Sequence, residues 1–246
     1  MIPPENPVAV VTGASSGIGA AVALRLVSSG VRVAVMARRR DRLEELAAKA
    51  DAQMLLLPVD LRDEEAVLEA FRQVRERWGG VDILINSAGL GRDAPLLSGE
   101  TAAWREMLEV NVVALSICTR EAIRSMRERN DRGHVIHISS ITAHRVSAGA
   151  SVYTASKAAV RSLTESLRLE LHEAGSAIRV SSISPGFVDT EFTDNYHARA
   201  YSTRGEHDLF PMLQPEDIAD AVIYVLSQPE HVQVHDILVR PTDQHT

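Results

Sequence analysis

The sequence predicts an α/β fold, a doubly wound parallel sheet of seven strands in a single domain over 1–246, on three observations. Short apolar runs alternate with longer helical patterns along the whole chain, which is the signature of a parallel sheet covered on both faces. The first apolar run ends in a glycine-rich turn that opens a helix, the arrangement with which open α/β sheets begin a nucleotide site. No internal repeat, low-complexity tract or linker marks a second domain.

Each element follows from its pattern. Val8 to Val11 is an apolar strand ending at Thr12-Gly13, and Gly17 to Gly19 open a helix (Val22, Leu26, Val27) that closes at Gly30. Val31 to Ala37 is the second strand. The helix Arg39 to Ala50 sets Leu43, Leu46 and Ala47 on one face and charges on the other. Met54 to Val59 is the third strand, before a helix from about Asp63 to Arg77. The rhythm continues with a strand at Val81 to Ile85, a long helical region from Glu100 to Arg129, and a strand at His134 to Ser139. A helix over Ser151 to Glu173 and a strand at Ile178 to Ile183 follow. After Pro185-Gly186 no clean periodicity returns until the helix Pro215 to Leu226 and the last strand, Asp236 to Val239. Right-handed crossovers then wind the sheet in both directions. The irregular stretch 188–214 exceeds a passive connection and reads as a substrate lid or binding loop. It and its flank hold Phe187, Phe192, Tyr196, Tyr201 and Phe210, which could equally form the core of a short helical insert.

The glycine turn, Thr12-Gly13-Ala14-Ser15-Ser16-Gly17-Ile18-Gly19, lets the backbone approach a pyrophosphate while the helix N-terminus offers free N–H groups. Ser15 and Ser16 add hydroxyl donors for phosphate oxygens. The end of the second strand selects the cofactor. An Asp or Glu there would accept from the ribose 2′-hydroxyl of NAD, but this chain has Ala37-Arg38-Arg39. Two guanidinium groups suit the 2′-phosphate of NADP, although arginines also begin a solvated helix face at this point. Asp60, at the end of the third strand, is placed to touch the adenine ring, with Leu61 beside it.

Composition excludes other classes. The hydrophobic share of 45% and charged share of 24% are those of an ordinary globular protein. A net charge of −7 and a pI near 5.7 argue against nucleic acid or an anionic membrane and for a small-molecule partner. The single cysteine, Cys118, leaves no internal disulfide framework and makes the cytoplasm the expected location, with the thiol in a helix core. Met1 to Pro7 has no basic residue and three prolines, unlike a signal or transit peptide, and no apolar run is long enough to span a membrane. No metal site is expected.

The chemistry concentrates in Ser139 to Lys157. Tyr153 and Lys157 are four residues apart, on one face of the predicted helix. A cation beside a phenol favours its ionised form, which makes the tyrosine a usable proton donor and acceptor. Ser140 arrives from the preceding strand end to bind the same substrate oxygen. His137 and His144 flank it and read as structural. A tyrosine one turn before a surface lysine can be coincidence; its neighbours decide.

Together these residues resemble the classical short-chain dehydrogenases/reductases over nearly the whole chain. Thr12 to Gly19 is similar to the family's cofactor turn, and Asn86-Ser87-Ala88-Gly89 to its motif after strand four. Asn111 matches its helical asparagine, and Ser140, Tyr153 and Lys157 match its active site. Pro185-Gly186 with Val188 and Thr190 match its nicotinamide-side segment. The resemblance implies a Rossmann-type domain, NADP(H), and interconversion of a carbonyl and a secondary alcohol. It implies Tyr153 as general acid in reduction and general base in oxidation. Lys157 would lower its pKa and grip the nicotinamide ribose, Ser140 would hold the carbonyl, and Asn111 would anchor a water linking Lys157 to solvent. It also implies a homotetramer or homodimer assembled through the helices after strands four and five. Ser87 departs from the family's usual second asparagine, a change bearing on the central sheet more than on catalysis. The segments Leu115 to Glu121, Pro215 to Leu226 and Val239 to Gln244 resemble an NADP-dependent branch with steroid- and quinone-reducing enzymes and a clavulanate dehydrogenase. Two other readings are expected to fail. A cofactor-binding sensor or scaffold would have lost the serine, tyrosine or lysine. A sugar-nucleotide epimerase or dehydratase of the extended branch would need a large domain after the last strand. The rings near 188–214 point to an apolar or ring-bearing substrate.

Overall fold

The structure is a computed structural model that describes residues 6–50, 54–146, 150–192 and 211–244. Seven parallel strands form one sheet in the order β3-β2-β1-β4-β5-β6-β7. They are β1 (Val8–Thr12), β2 (Arg32–Ala37), β3 (Leu55–Pro58), β4 (Ile83–Asn86), β5 (Arg132–Ile138), β6 (Ala177–Pro185) and β7 (Asp236–Val239). The helices are α1 (Gly17–Ser28), α2 (Arg40–Ala47), α3 (Glu64–Trp78), α4 (Thr101–Leu108), α5 (Leu115–Arg129), α6 (Ser151–Glu173) and α7 (Pro215–Leu226). This is the expected single Rossmann-like domain.

Strand alternation builds two cores. Ala9 and Val11 of β1 face α1 and α7, packing with Val22, Leu26, Ile218 and Val222. Val8 and Val10 point to the opposite face, among Phe71, Val74, Cys118 and Met126 of α3 and α5. Burial pushes the Cys118 thiol up to about 12, so it packs as a small apolar group.

The winding reverses between β1 and β4, which pair directly from Ala9↔Ile83 to Thr12↔Asn86. At such a reversal the two following loops diverge and leave a crevice beyond the strands' carboxyl ends. Thr12 closes its floor, its hydroxyl accepting from the N–H groups of Ser87 and Ala88, each at 3.1 Å.

Two elements differ from expectation. The predicted helical region Glu100 to Arg129 is interrupted by a π-helical turn at Glu109–Ala114. Asn111 sits in that turn and exchanges two 2.9 Å hydrogen bonds with the backbone of Leu90, so a contact from the loop after β4 stabilises the wider turn. Helix α2 spans Arg40–Ala47 rather than the predicted Arg39 to Ala50; at its start Arg39 stays extended and reaches back to the glycine turn.

Candidate active site

The site is assembled where β5, α6 and the β4 loop meet. Helix α6 carries Tyr153 and Lys157 one turn apart, and the Lys157 Nζ lies 5.9 Å from the centre of the tyrosine ring. Lys157 is only 6% exposed. Its ammonium donates to the Ile138 carbonyl at 3.0 Å, and burial pulls its pKa down from 10.5 to about 8. Ser140, past the end of β5, caps a short 3₁₀ turn by accepting from the Thr142 N–H at 3.2 Å, which fixes the hydroxyl at the mouth of the strand. Tyr153 is buried against Phe192, with ring centres 5.6 Å apart, in a small cluster with Ala94 and Met107.

Behind these groups runs a chain of hydrogen bonds that the sequence pattern did not reveal. The Asn111 amide donates to Ser156 Oγ at 3.0 Å, and Ser156 donates to the Tyr153 carbonyl at 2.7 Å. Ser156 is completely buried. The π turn, the Leu90 loop and the first turn of α6 are thereby locked together. The Asn111 carboxamide is occupied in this lock rather than aimed into the cavity.

A cavity of about 820 Å³ spans the site. It is lined by Ser140, Tyr153 and Lys157, and by all the expected cofactor contacts except Asn86. The Asn86 side chain is turned into the protein, where its amide donates to the Thr119 hydroxyl at 2.9 Å. Its reason is packing: at the last position of a central strand, 2% exposed, it joins β4 to α5 rather than reaching a ligand. The two histidines are structural. His137 lies between the hydroxyls of Thr119 and Thr164, and burial, aided by the charge of Lys157, lowers its pKa to about 4. His144 contacts Ser184 at 3.0 Å and Asp236 at 3.4 Å, tying the 3₁₀ turn to β6 and β7.

The glycine turn has the shape of a phosphate cradle. Gly13 has φ +69°, and a Cβ there would stand 2.7 Å from the Ala88 backbone. A Cβ on Gly17, also at positive φ, would press on Thr190 at 3.0 Å. At the rim, Arg39 Nη2 donates to Ser15 Oγ (3.1 Å), Ser16 Oγ (3.0 Å) and the Glu191 carboxylate (3.0 Å). The Arg39 guanidinium holds the Glu191 carboxyl below the usual carboxylate range. The same donors therefore already accommodate an anion. Asp60 is forked by Arg62, which holds its carboxyl low, and it stays at the cavity wall near Arg38.

The match to known proteins is extensive. Residues 7–200 fit the family model for short chain dehydrogenase. The chain belongs to the short-chain dehydrogenase family. It is 52% identical over 251 aligned positions to Dehydrogenase/reductase SDR family member 11 of Bos taurus, covering 98% of both chains. It is 41% identical to a farnesol dehydrogenase of Aedes aegypti, covering 96% of both chains. Among solved structures it resembles the closed form of a serine dehydrogenase complexed with NADP+, with 33% identity, a TM-score of 0.89 and coverage of 97% and 96%. The family reading of the sequence holds, and with it membership among the oxidoreductases.

Phe187, which flanks the expected lid 188–214, and Glu191 and Phe192 within it line the cavity, and Val188 bridges to Leu213. Tyr196, Tyr201 and Phe210 lie outside the described residues. Sequence reasoning also missed Gln244, which is 6% exposed and lines the cavity. It lies beyond the last strand, at the end of a segment that carried a family resemblance but no sign of a place at the cavity.

Proposed function

We propose that this protein is an NADP(H)-dependent oxidoreductase interconverting a carbonyl and a secondary alcohol at Ser140, Tyr153 and Lys157. The observation that carries the reading is a buried ammonium set one turn below a buried phenol, on the wall of the cavity that also holds Ser140 and the glycine turn. NADP(H), when bound, supplies or accepts the hydride. The turn from Gly13 to Gly19 and the N-terminus of α1 would hold its pyrophosphate. Arg38 and Arg39, with Ser15 and Ser16, would hold its 2′-phosphate, and the NADP+ of the serine dehydrogenase structure supports that choice.

The chain's own groups then do the acid–base work. Ser140 orients the carbonyl oxygen. Tyr153 donates its proton to that oxygen in reduction and takes it back in oxidation. Lys157, buried and donating to the Ile138 carbonyl, biases the phenol toward losing its proton and would contact the cofactor ribose. Asn111 acts as a positioning residue through Leu90 and Ser156, and a relay water would have to sit beside this lock rather than on its committed amide.

The substrate is apolar or ring-bearing, a reading supported by Leu90, Ile141, Val146, Phe187 and Phe192 in the cavity wall and by a relative named for the alcohol farnesol. Exposed Leu108 and Val113, and Leu163 and Leu169 of α6, support assembly into a homodimer or homotetramer through these helices. No helix among the described residues is long and apolar enough to cross a membrane, and a single buried free thiol supports a cytoplasmic location. The test is NADPH oxidation against ketosteroids, quinones, diketones, aldehydes and small polar ketones. Turnover of apolar carbonyls is expected. NADPH binding with no turnover of any carbonyl, and no reduction of NADP+ by the matching alcohols, would overturn the reading.

A further inference from the structure

The segment Pro185-Gly186-Phe187-Val188 leaves the sheet at the end of β6 and lines the same cavity as Tyr153. Two of its backbone donors are satisfied from the end of β7 and the chain that follows it. The Gly186 N–H donates to the Val239 carbonyl at 2.7 Å, and the Phe187 N–H donates to the side-chain oxygen of Gln244 at 3.1 Å. A turn closed by the Gln244 N–H on the Pro241 carbonyl, at 3.1 Å, brings Gln244 back over the sheet edge to reach that point. The fit leaves no slack. A Cβ on Gly186 would collide with Gln244 Oε1 and stand 2.8 Å from Arg240 Cβ. The absence of a side chain at Gly186 is therefore what admits the carboxamide. Leu213 holds the other flank, accepting from Asp189 N–H at 2.8 Å and donating to the Phe187 carbonyl at 3.1 Å.

We infer that Gln244 is a positioning residue for the nicotinamide end of the cofactor: its carboxamide clamps the Gly186–Phe187 peptide and so sets the wall against which that ring rests. The inference rests on the NADP(H) reading above. A buried N–H that loses its acceptor must find another or shift the peptide, so the effect is local to this end of the cavity. The adenosine end, on Arg38, Arg39 and the glycine turn, lies across the sheet at β1 and β2.

The experiment measures dissociation constants of NADPH and of 2′,5′-ADP, which lacks the nicotinamide half, for the wild-type protein, Gln244→Met and Gln244→Glu. Methionine keeps the length and packing without a comparable acceptor, and glutamate keeps the acceptor. Gln244→Met is expected to weaken NADPH about three- to tenfold, the scale of one lost hydrogen bond, and to leave 2′,5′-ADP unchanged. Gln244→Glu is expected to bind both as the wild type does. Equal weakening of both ligands in Gln244→Met, no weakening of either, or failure of glutamate to restore NADPH affinity would each overturn the inference. A wild-type protein that binds neither ligand would overturn the cofactor reading together with it.

Discussion

Lys157 and Arg39 are both cations on the wall of one cavity, and the protein holds them in opposite ways. Lys157 is buried, donates to the neutral Ile138 carbonyl, and has its pKa drawn down to about 8 by desolvation. Arg39 stands at the rim with its side chain 43% exposed, sharing its guanidinium among two serine hydroxyls and Glu191. The first arrangement costs folding stability and yields a group whose charge acts strongly on its neighbour. The second costs little and is suited to exchanging one anion for another. The proposed chemistry draws on the buried end and the proposed cofactor selection on the exposed end.

Four measurements would break or sharpen that contrast. The largest effect belongs to the buried end. Tyr153→Phe removes the proposed proton donor and should lower kcat by about two to four orders of magnitude, with NADPH affinity nearly retained by direct titration. Next comes the pH dependence of Lys157. Its folded pKa is below the unfolded value, so the unfolded chain binds the proton more tightly between about 8 and 10.5. The cost is therefore complete below pH 8 and is relieved as pH rises toward 10.5. Urea unfolding of wild type and Lys157→Met should show wild type gaining about 3 kcal/mol relative to the variant across that window. If the difference stays flat with pH, the lysine is not desolvated as described.

At the exposed end, replacing both Arg38 and Arg39 by alanine should weaken NADPH about tenfold to a hundredfold and change NADH little. A preference for NADH in the unmutated protein would reverse the assignment of these arginines. The smallest effect is that of Glu191→Gln. Removing the carboxylate that Arg39 already holds should tighten 2′,5′-ADP by no more than about fivefold, since exposed ion pairs are weak. That gain should shrink as salt is added.

The motifs were readable to different depths. Gly13 to Gly19, Tyr153 and Lys157 were legible because each depends on neighbours a few residues away: a strand end followed by a helix start, or two side chains one helical turn apart. Asn86 belongs to a motif that runs along the cavity, while strand alternation turns its side chain to Thr119. Ser156 could have been noticed as a small polar residue between Tyr153 and Lys157, but only the packed structure shows it facing Asn111. Gln244 ended a segment of family resemblance, but nothing local pointed to its contact, which lies 57 residues away.

Sequence alone determined the alternation of seven strands with helices, the glycine turn at the first strand end, and the tyrosine–lysine pair. All three are encoded in continuous apolar runs of strand length, in the roughly 3.6-residue period of helices and in the backbone freedom of glycine. The tertiary structure alone decided that Lys157 is desolvated, that the chain around Asn111 widens into a π turn, and that Gln244 closes on Gly186 and Phe187. Burial and long-range hydrogen bonds exist only once distant segments have packed, so no window of the chain contains them.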